Sequence, residues 1–432
     1  MHHFRSISCP AVVLQLIVCL SLCVQLNAER VPAEVSSLSV KGKGVAEELM
    51  MRVTRNFMLR NPLARGKYRF GDWEDIEKST LPKTCYWSYP TGVSLLALQR
   101  VAGITGAGDV LKFVVENNEI SAEQYGYLRW QQAKYGKVFR TSGFEKLWRL
   151  RMLDDCGAMG AQMLDSVLRH NVTFTPNEEK LIEIIGEFVT KQQSRLPDGS
   201  FWRPESPDGP TLWADDLFMG VPFLVRWSEY KKDSAALDDA ARQVINYAAR
   251  LQDTDGAWFH AYFVDERQPN GIKWGRANGW VAIAIAELLS AMPSDHQQRS
   301  MILDIFRRQM EGLRKLQSPS GMWHQVIDHP ELTWGTETSC SAQFTYAMAR
   351  GVNRGWLDDS YRKNLKSALA GLSGQVTEDG NIRNVCPSTS IGRDLSYYNE
   401  RIRKENDWHG PGLMLLALTE MLAVNSNDQP GK

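Results

Sequence analysis

Leu251-Gln252-Asp253-Thr254-Asp255-Gly256-Ala257-Trp258 is one of four copies of a short turn in this chain. Two more stand at Leu196-Pro197-Asp198-Gly199-Ser200-Phe201-Trp202 and Leu316-Gln317-Ser318-Pro319-Ser320-Gly321-Met322-Trp323, and a worn copy at Val376-Thr377-Glu378-Asp379-Gly380-Asn381-Ile382. Each reads as the end of a helix, a turn through glycine, and an aromatic or branched residue. Glycine just past the last periodic residue stops a helix, because it takes a positive φ without a Cβ clash. The glycines lie 57, 65 and 59 residues apart, the mark of a repeat architecture.

Around each turn the pattern predicts two helices. One is amphipathic, as in 178–193, 235–252, 297–317 and 359–372; the other is apolar all round, as in 217–227, 280–292, 341–352 and 413–424. A polar stripe faces water and an all-apolar helix is buried, so each unit pairs an outer helix with an inner one. The same criteria pair 45–59 with 93–101 and 109–116 with 156–169. Six hairpins with few strand signals predict an all-α fold, an (α/α)6 barrel; an open solenoid is the alternative.

The chain has 432 residues, with 50 Lys+Arg balancing 50 Asp+Glu and 43% hydrophobic residues. That composition is globular, and zero net charge argues against a general nucleic-acid binder. The apolar run Ala11 to Leu22, followed by Leu26-Asn27-Ala28, has the layout of a secretory signal peptide over 1–28. The expectation is a single domain over 29–432, exported to the periplasm or outside. Leu20-Ser21-Leu22-Cys23 makes a weak lipobox, so a lipid anchor is the lesser reading. No later run reaches the ~20 apolar residues of a membrane span. Cys85, Cys156, Cys340 and Cys386 are scattered, without metal-ligand spacing, so neither a metal nor another cofactor is expected. Oligomeric state is not addressed by the sequence.

In a barrel of hairpins the inner helices begin at one end, and the segments entering them converge on a mouth. Here those segments are rich in polar and aromatic residues: Trp87-Ser88-Tyr89, Asp154-Asp155, Trp213-Ala214-Asp215-Asp216, Trp274-Gly275-Arg276 with Trp280, Glu337 and Trp408-His409. An Asp there is, taken singly, a helix N-cap. Doubled Asp pairs about 60 residues apart, beside Trp and Arg, point to carbohydrate chemistry.

Trp213-Ala214-Asp215-Asp216-Leu217-Phe218-Met219-Gly220 resembles the hallmark of glycoside hydrolase family 105, the unsaturated rhamnogalacturonyl hydrolases, related to the unsaturated glucuronyl hydrolases of family 88. Asp154-Asp155-Cys156-Gly157, Trp274-Gly275-Arg276-Ala277-Asn278-Gly279-Trp280 and Glu337-Thr338-Ser339-Cys340 are similar to further motifs of that family, in the same order. The resemblance implies an (α/α)6 barrel, no metal, and an unsaturated uronyl oligosaccharide as substrate. It implies hydration of the C4=C5 enol ether left by polysaccharide lyases: a carboxylic acid protonates C4, water adds at C5, and the hemiketal collapses to release the next sugar.

By the same resemblance Asp215 is the general acid, with Asp216 its rival because the pair makes the alignment ambiguous by one. Asp155 orients the substrate or sustains the proton on Asp215. Trp213 supplies an apolar wall, His260 a pocket imidazole, and Arg276 with Trp280 hold the uronate. Trp87, Tyr89, Trp274, Glu337 and His409 complete the expected substrate contacts, with Tyr397, Tyr398 and Trp408 toward the next sugar. A lone His beside a turn is also an ordinary structural hydrogen bond, and Trp280 an ordinary core residue. Rhamnose is the default next sugar, and ulvan or arabinogalactan fragments are alternatives. The competing functions are a conventional (α/α)6 glycosidase on saturated sugars and a non-catalytic sugar-binding barrel.

Overall fold

The computed structural model describes residues 44–61, 87–138 and 144–426. The expected signal segment and Cys85 lie outside the described residues. Among the described residues twelve long helices run in order: α1 Val45–Arg60, α2 Tyr89–Thr105, α3 Gly108–Tyr135, α4 Gly157–His170, α5 Pro176–Glu187, α6 Asp216–Lys231, α7 Ser234–Leu251, α8 Gly275–Ala291, α9 Arg299–Lys315, α10 Thr338–Asn353, α11 Arg362–Ser373 and α12 His409–Ser426. The even-numbered helices pack in a cycle, α2 on α4, α6, α8, α10, α12 and back to α2. The odd-numbered helices lie outside them, so the six hairpins close into an (α/α)6 barrel rather than an open solenoid.

Three of the four repeat glycines, Gly256, Gly321 and Gly380, explain how neighbouring hairpins register. Gly256 has φ of 90°, and a Cβ there would lie 2.0 Å from the Arg308 carbonyl oxygen of α9. The turn after α7 therefore seats directly on the backbone of the next outer helix. Gly321 seats on α11 in the same way, and Gly380 on α1. Glutamines reinforce the contact, since Gln252 donates to the Ile305 carbonyl at 3.0 Å and Gln317 to the Asn364 carbonyl at 3.0 Å.

Two boundaries differ from expectation. α3 runs on to Tyr135, and its later buried positions mix Asn117, Asn118, Ser121, Gln124 and Gln131 with Ala122, Tyr125, Tyr127 and Leu128, so the apolar periodicity breaks before the helix does. Asn118 is tied to Gln162 and Ser166 of α4. Four inner helices, α2, α8, α10 and α12, also start about a turn earlier than their apolar runs, so Tyr89, Arg276 and His409 sit in first helical turns. Cys156, Cys340 and Cys386 are buried free thiols.

Deeper along the barrel, away from the inner-helix starts, each inner helix contributes one charge: Arg100, Asp165, Arg226, Glu287, Arg350 and Glu420, alternating in sign around the ring. All six are paired. Arg226 meets Asp165 at 2.7 Å and Glu287 at 2.8 Å, Arg100 reaches Glu287 at 2.9 Å, and Arg350 binds Glu420. Burial would push Glu287 up, but Arg100, Arg226, Arg350 and the Tyr346 hydroxyl together hold its carboxyl well below the usual range.

Candidate active site

A short antiparallel pairing builds the site. The strand Thr211–Trp213, just before α6, pairs with Ala261–Phe263 in the register Trp213 opposite Ala261. The ladder continues one residue further, where the Ala214 amide donates to the His260 carbonyl at 2.9 Å. Asp215 and His260 are thereby brought together: His260 Nε2 faces Asp215 Oδ2 at 3.3 Å. Neither atom has a hydrogen-bond partner of good geometry, although both are buried. Asp215 occupies the N-cap position of α6 but its side chain makes no cap bond, so helix capping does not account for it. A buried, unpartnered polar pair is costly unless something else occupies it.

Asp216 is engaged differently. Arg203 grips it with two bonds, 3.0 Å through Nε and 2.6 Å through Nη2. Burial pushes its carboxyl up to about 6, against the pull of Arg203. The same guanidinium reaches Asp154 at 3.0 Å and lies 4.2 Å over the Trp213 ring. Trp213 also donates its indole N–H to Thr211 at 3.0 Å and stands edge-on to His260. Of the doubled Asp, then, Asp215 is the member left unpaired.

Asp155 requires a correction. Its carboxylate is fully buried, paired with Arg149 at 3.0 Å, and accepts the Arg151 and Met152 amides at 2.8 and 3.3 Å. The segment Leu153–Asp155 is a 3₁₀ turn, in which neighbouring side chains point about 120° apart. The carboxylate delivered to Arg203 and the mouth is therefore that of Asp154, and Asp155 secures the turn. Glu337 also needs correction. It is fully buried and caps α10, accepting the Ser339 and Cys340 amides at 3.0 and 2.7 Å and the Cys386 amide at 3.0 Å. No oxygen remains for a substrate.

Arg276 commits both terminal nitrogens to the chain itself and leaves its buried Nε without a hydrogen-bond partner. It is buried, donates to Ser339 Oγ at 3.2 Å and to the carbonyls of Cys386 and Pro387, and stacks on Trp274 at 4.5 Å. It holds the segment after Cys386 against the barrel. Trp87, Trp274 and Trp280 are buried: Trp87 donates to the Asp155 carbonyl, Trp274 packs 4.7 Å from the His260 ring, and Trp280 stacks on Phe218 at 4.5 Å. They form the floor behind the polar groups. Trp213 and Tyr89 keep partial exposure.

Tyr89, His409 and Asp407 form a chain. The Tyr89 hydroxyl lies 2.6 Å from His409 Nε2, and His409 Nδ1 bonds Asp407. Burial, helped by the Arg276 charge, lowers His409 to about 4. It is therefore neutral near pH 7, with Nδ1–H on Asp407 and Nε2 accepting from Tyr89. Burial, with Asp154 and Asp215 adding, pushes the Tyr89 phenol above its usual range. Tyr398 does not line an open subsite, being fully buried on His260; Tyr397 is half-buried, its hydroxyl accepting from Thr389 Oγ1 and the Ser390 amide.

Arg203 is absent from the sequence-based site and Asp154 stands there in a mouth segment without a role of its own, yet the repeat carries a signal for Arg203. The residue four past each repeat glycine is Arg203, His260, Gln325 or Asn384. Arg203 is the counterpart of His260 one hairpin earlier, and both meet the Asp pair.

Residues 66–425 match the family model described as Glycosyl Hydrolase Family 88. The chain is 31% identical over 214 residues to the unsaturated rhamnogalacturonyl hydrolase YesR of Bacillus subtilis, covering 49% of this chain and 59% of that protein. It is 28% identical over 218 residues to an unsaturated 3S-rhamnoglycuronyl hydrolase of an Alteromonas species, covering 49% and 51%. The chain thus spans about half to three-fifths of the length of these curated relatives. Among solved structures, a possible family 105 member from Salmonella enterica superposes with a TM-score of 0.69 at 19% identity, over 90% of this chain and 96% of that one. A family 105 hydrolase of C. acetobutylicum gives 0.68 at 21% identity, over 86% and 98%. Both are likenesses of fold.

Proposed function

The chain belongs to Glycosyl Hydrolase Family 88, and on that footing we propose that it hydrates the C4=C5 bond of a 4,5-unsaturated uronic acid at the non-reducing end of lyase-generated oligosaccharides. The observation that carries this reading is Asp215, a buried carboxyl left without a partner opposite His260. In this mechanism the Asp215 proton passes to C4 and positive charge develops at C5 and the ring oxygen. Water adds at C5, losing its proton to the Asp215 carboxylate; the C5 hemiketal opens to a ketone and leaves a hemiacetal at C1, whose collapse to an aldehyde breaks the C1–O bond and releases the next sugar as an alcohol. Asp215 is thus acid first and base second. Trp213, braced by Arg203, forms one wall for the sugar ring, and the Tyr89 hydroxyl another polar contact.

The carboxyl-separation rule for inverting and retaining glycosidases does not apply, because it concerns the anomeric carbon. The names of the relatives, rhamnogalacturonyl and rhamnoglycuronyl hydrolases, support rhamnose as the default next sugar, with ulvan or arabinogalactan fragments as the alternatives. The signal-like layout of 1–28 supports export, to the periplasm or beyond.

The test is the ultraviolet absorbance of the enol ether, followed on disaccharides from several lyases. Hydration removes the chromophore. A conventional glycosidase would release sugar with the absorbance intact, and a binding barrel would leave the substrate unchanged; either result overturns the proposal.

A further inference from the structure

The Tyr398 oxygen is surrounded by three nitrogens, and counting their hydrogens assigns a proton. The Gly392 amide donates to it at 2.9 Å. Asn270 Nδ2 donates at 3.3 Å. The orientation of that amide is set by its backbone neighbours: Nδ2 also donates to the Gly392 carbonyl at 3.0 Å, while Oδ1 accepts the Ala261 and Ile272 amides, each at 3.3 Å. A phenol oxygen has one hydrogen to give and two lone pairs to receive. Both lone pairs are taken, so the hydroxyl hydrogen goes to the third neighbour, His260 Nδ1, at 2.6 Å. Nδ1 must then be the bare nitrogen of a neutral imidazole, and Nε2 carries the hydrogen.

Nε2 is the nitrogen that faces Asp215 Oδ2. We propose that Tyr398 is a positioning residue that locks His260 in its Nε2–H tautomer, so that His260 presents a donor and never an acceptor to Asp215. The imidazole is fully buried and boxed by three rings, with Trp213 at 5.6 Å, Trp274 at 4.7 Å and Tyr398 at 5.7 Å between centroids, so it cannot turn over to exchange its nitrogens. Burial pushes the Tyr398 phenol well above its usual range, which keeps its hydrogen in place.

The consequence for the carboxyl is specific. His260 cannot remove the Asp215 proton, since the nitrogen facing it is already protonated. It occupies Oδ2 instead, closing the 3.3 Å gap by a small rotation of the kind that catalytic bonds undergo when a ligand binds. Oδ2 is buried, so Oδ1 is the oxygen left to hold the acidic hydrogen toward the sugar. Tyr398 and His260 together choose which oxygen of Asp215 is the acid. This rests on the reading of Asp215 as the proton donor to C4.

The experiment is a long-range ¹H–¹⁵N correlation on the full chain labelled at histidine, with His260 assigned by its disappearance in His260→Gln. The expected wild-type pattern is a neutral imidazole with a bare Nδ1 and a protonated Nε2. An Nδ1–H or doubly protonated pattern overturns the proposal whether or not the enzyme is active. Tyr398→Phe should release the tautomer into a mixture. It should also lower kcat by about tenfold or more, the range for losing the partner that orients a functional imidazole, with KM within about twofold. An unchanged spectrum in Tyr398→Phe also overturns it. If the wild type hydrates no unsaturated uronide, the proposed function fails, while the wild-type spectrum still decides the tautomer.

Discussion

The two ends of the inner barrel hold the same side-chain types and use them in opposite ways. Deep in the barrel, Arg100, Asp165, Arg226, Glu287, Arg350 and Glu420 form a ring in which every charge has an opposite neighbour. At the mouth, Arg203 satisfies Asp154 and Asp216, Arg149 satisfies Asp155, and Asp215 is left facing only an imidazole. Burial and charge are common to both ends. The difference is completeness of pairing: a buried network rigidifies when every member is satisfied, and an incomplete one marks where a ligand must finish it.

Asp215→Asn should break the contrast most severely. The amide keeps the size but cannot donate an acidic proton, and kcat should fall by ~10²–10⁴-fold. The thermal midpoint should be unchanged or raised, because a buried carboxyl without a partner contributes no stability. The absorbance assay and a melting curve read the two effects.

Glu287→Gln is the mirror experiment. It strips the ring of the carboxylate that three arginines share and should cost about 3–5 kcal/mol of stability, as for other broken buried pairs. Turnover of the protein that remains folded should be normal. Chemical denaturation beside specific activity checks it. Loss of activity without loss of stability would erase the distinction between the two ends.

A pH titration of stability sharpens the comparison. His409 titrates at about 4 in the folded chain, against an ordinary 6.5. On acidification the unfolded chain takes the proton first, so the contribution of His409 is complete above pH 6.5 and lost as pH falls toward 4. It amounts to about 3 kcal/mol. Denaturation midpoints at pH 7, 5.5 and 4 should decline in the wild type, and less steeply in His409→Gln.

The smallest effect separates two neighbours. Asp155→Asn should cost roughly 2 kcal/mol, since its carboxylate ties down Arg149 and two amides. Asp154→Asn, one residue away and part-exposed, should alter stability by less than about 1 kcal/mol while lowering kcat/KM by unbalancing Arg203. Reversed outcomes would return Asp155 to the mouth.

The barrel was legible because its turns repeat and its helices bury apolar faces. The glycine of each turn announces a helix end, and in three of the four turns the close seat on the next hairpin. What apolar periodicity could not reveal was polar burial: the polar positions in the second half of α3, and the one charge that each inner helix places deep in the barrel within an otherwise apolar run. Yet Arg100, Asp165, Arg226, Glu287, Arg350 and Glu420 recur at nearly the spacing of the turns, so the repeat held that signal. In the site, residue types at the inner-helix entrances placed Asp215 in the mouth, the family resemblance added His260, and the strand register explains why they meet. The doubled Asp could not be resolved from sequence. Which member faces the mouth depends on a 3₁₀ turn in one pair, where it is the first, Asp154, and on Arg203 in the other. Glu337 and Arg276 have the chemistry of ligand-binding groups, but backbone amides fill both oxygens of Glu337 and backbone carbonyls take both terminal nitrogens of Arg276.

The seat of Gly380 on α1 closes a circle, because the turn of the last hairpin rests on the helix of the first, and α12 packs on both α1 and α2. An open array of helical pairs frays from its ends and tolerates the loss of a unit, its stability being a sum over neighbours. Here each hairpin has two neighbours, so there is no terminal unit to fray. Removing any one hairpin breaks two interfaces and leaves arcs that meet at the wrong angle. The ring is one cooperative unit, and the mouth keeps its geometry only while the circle is complete.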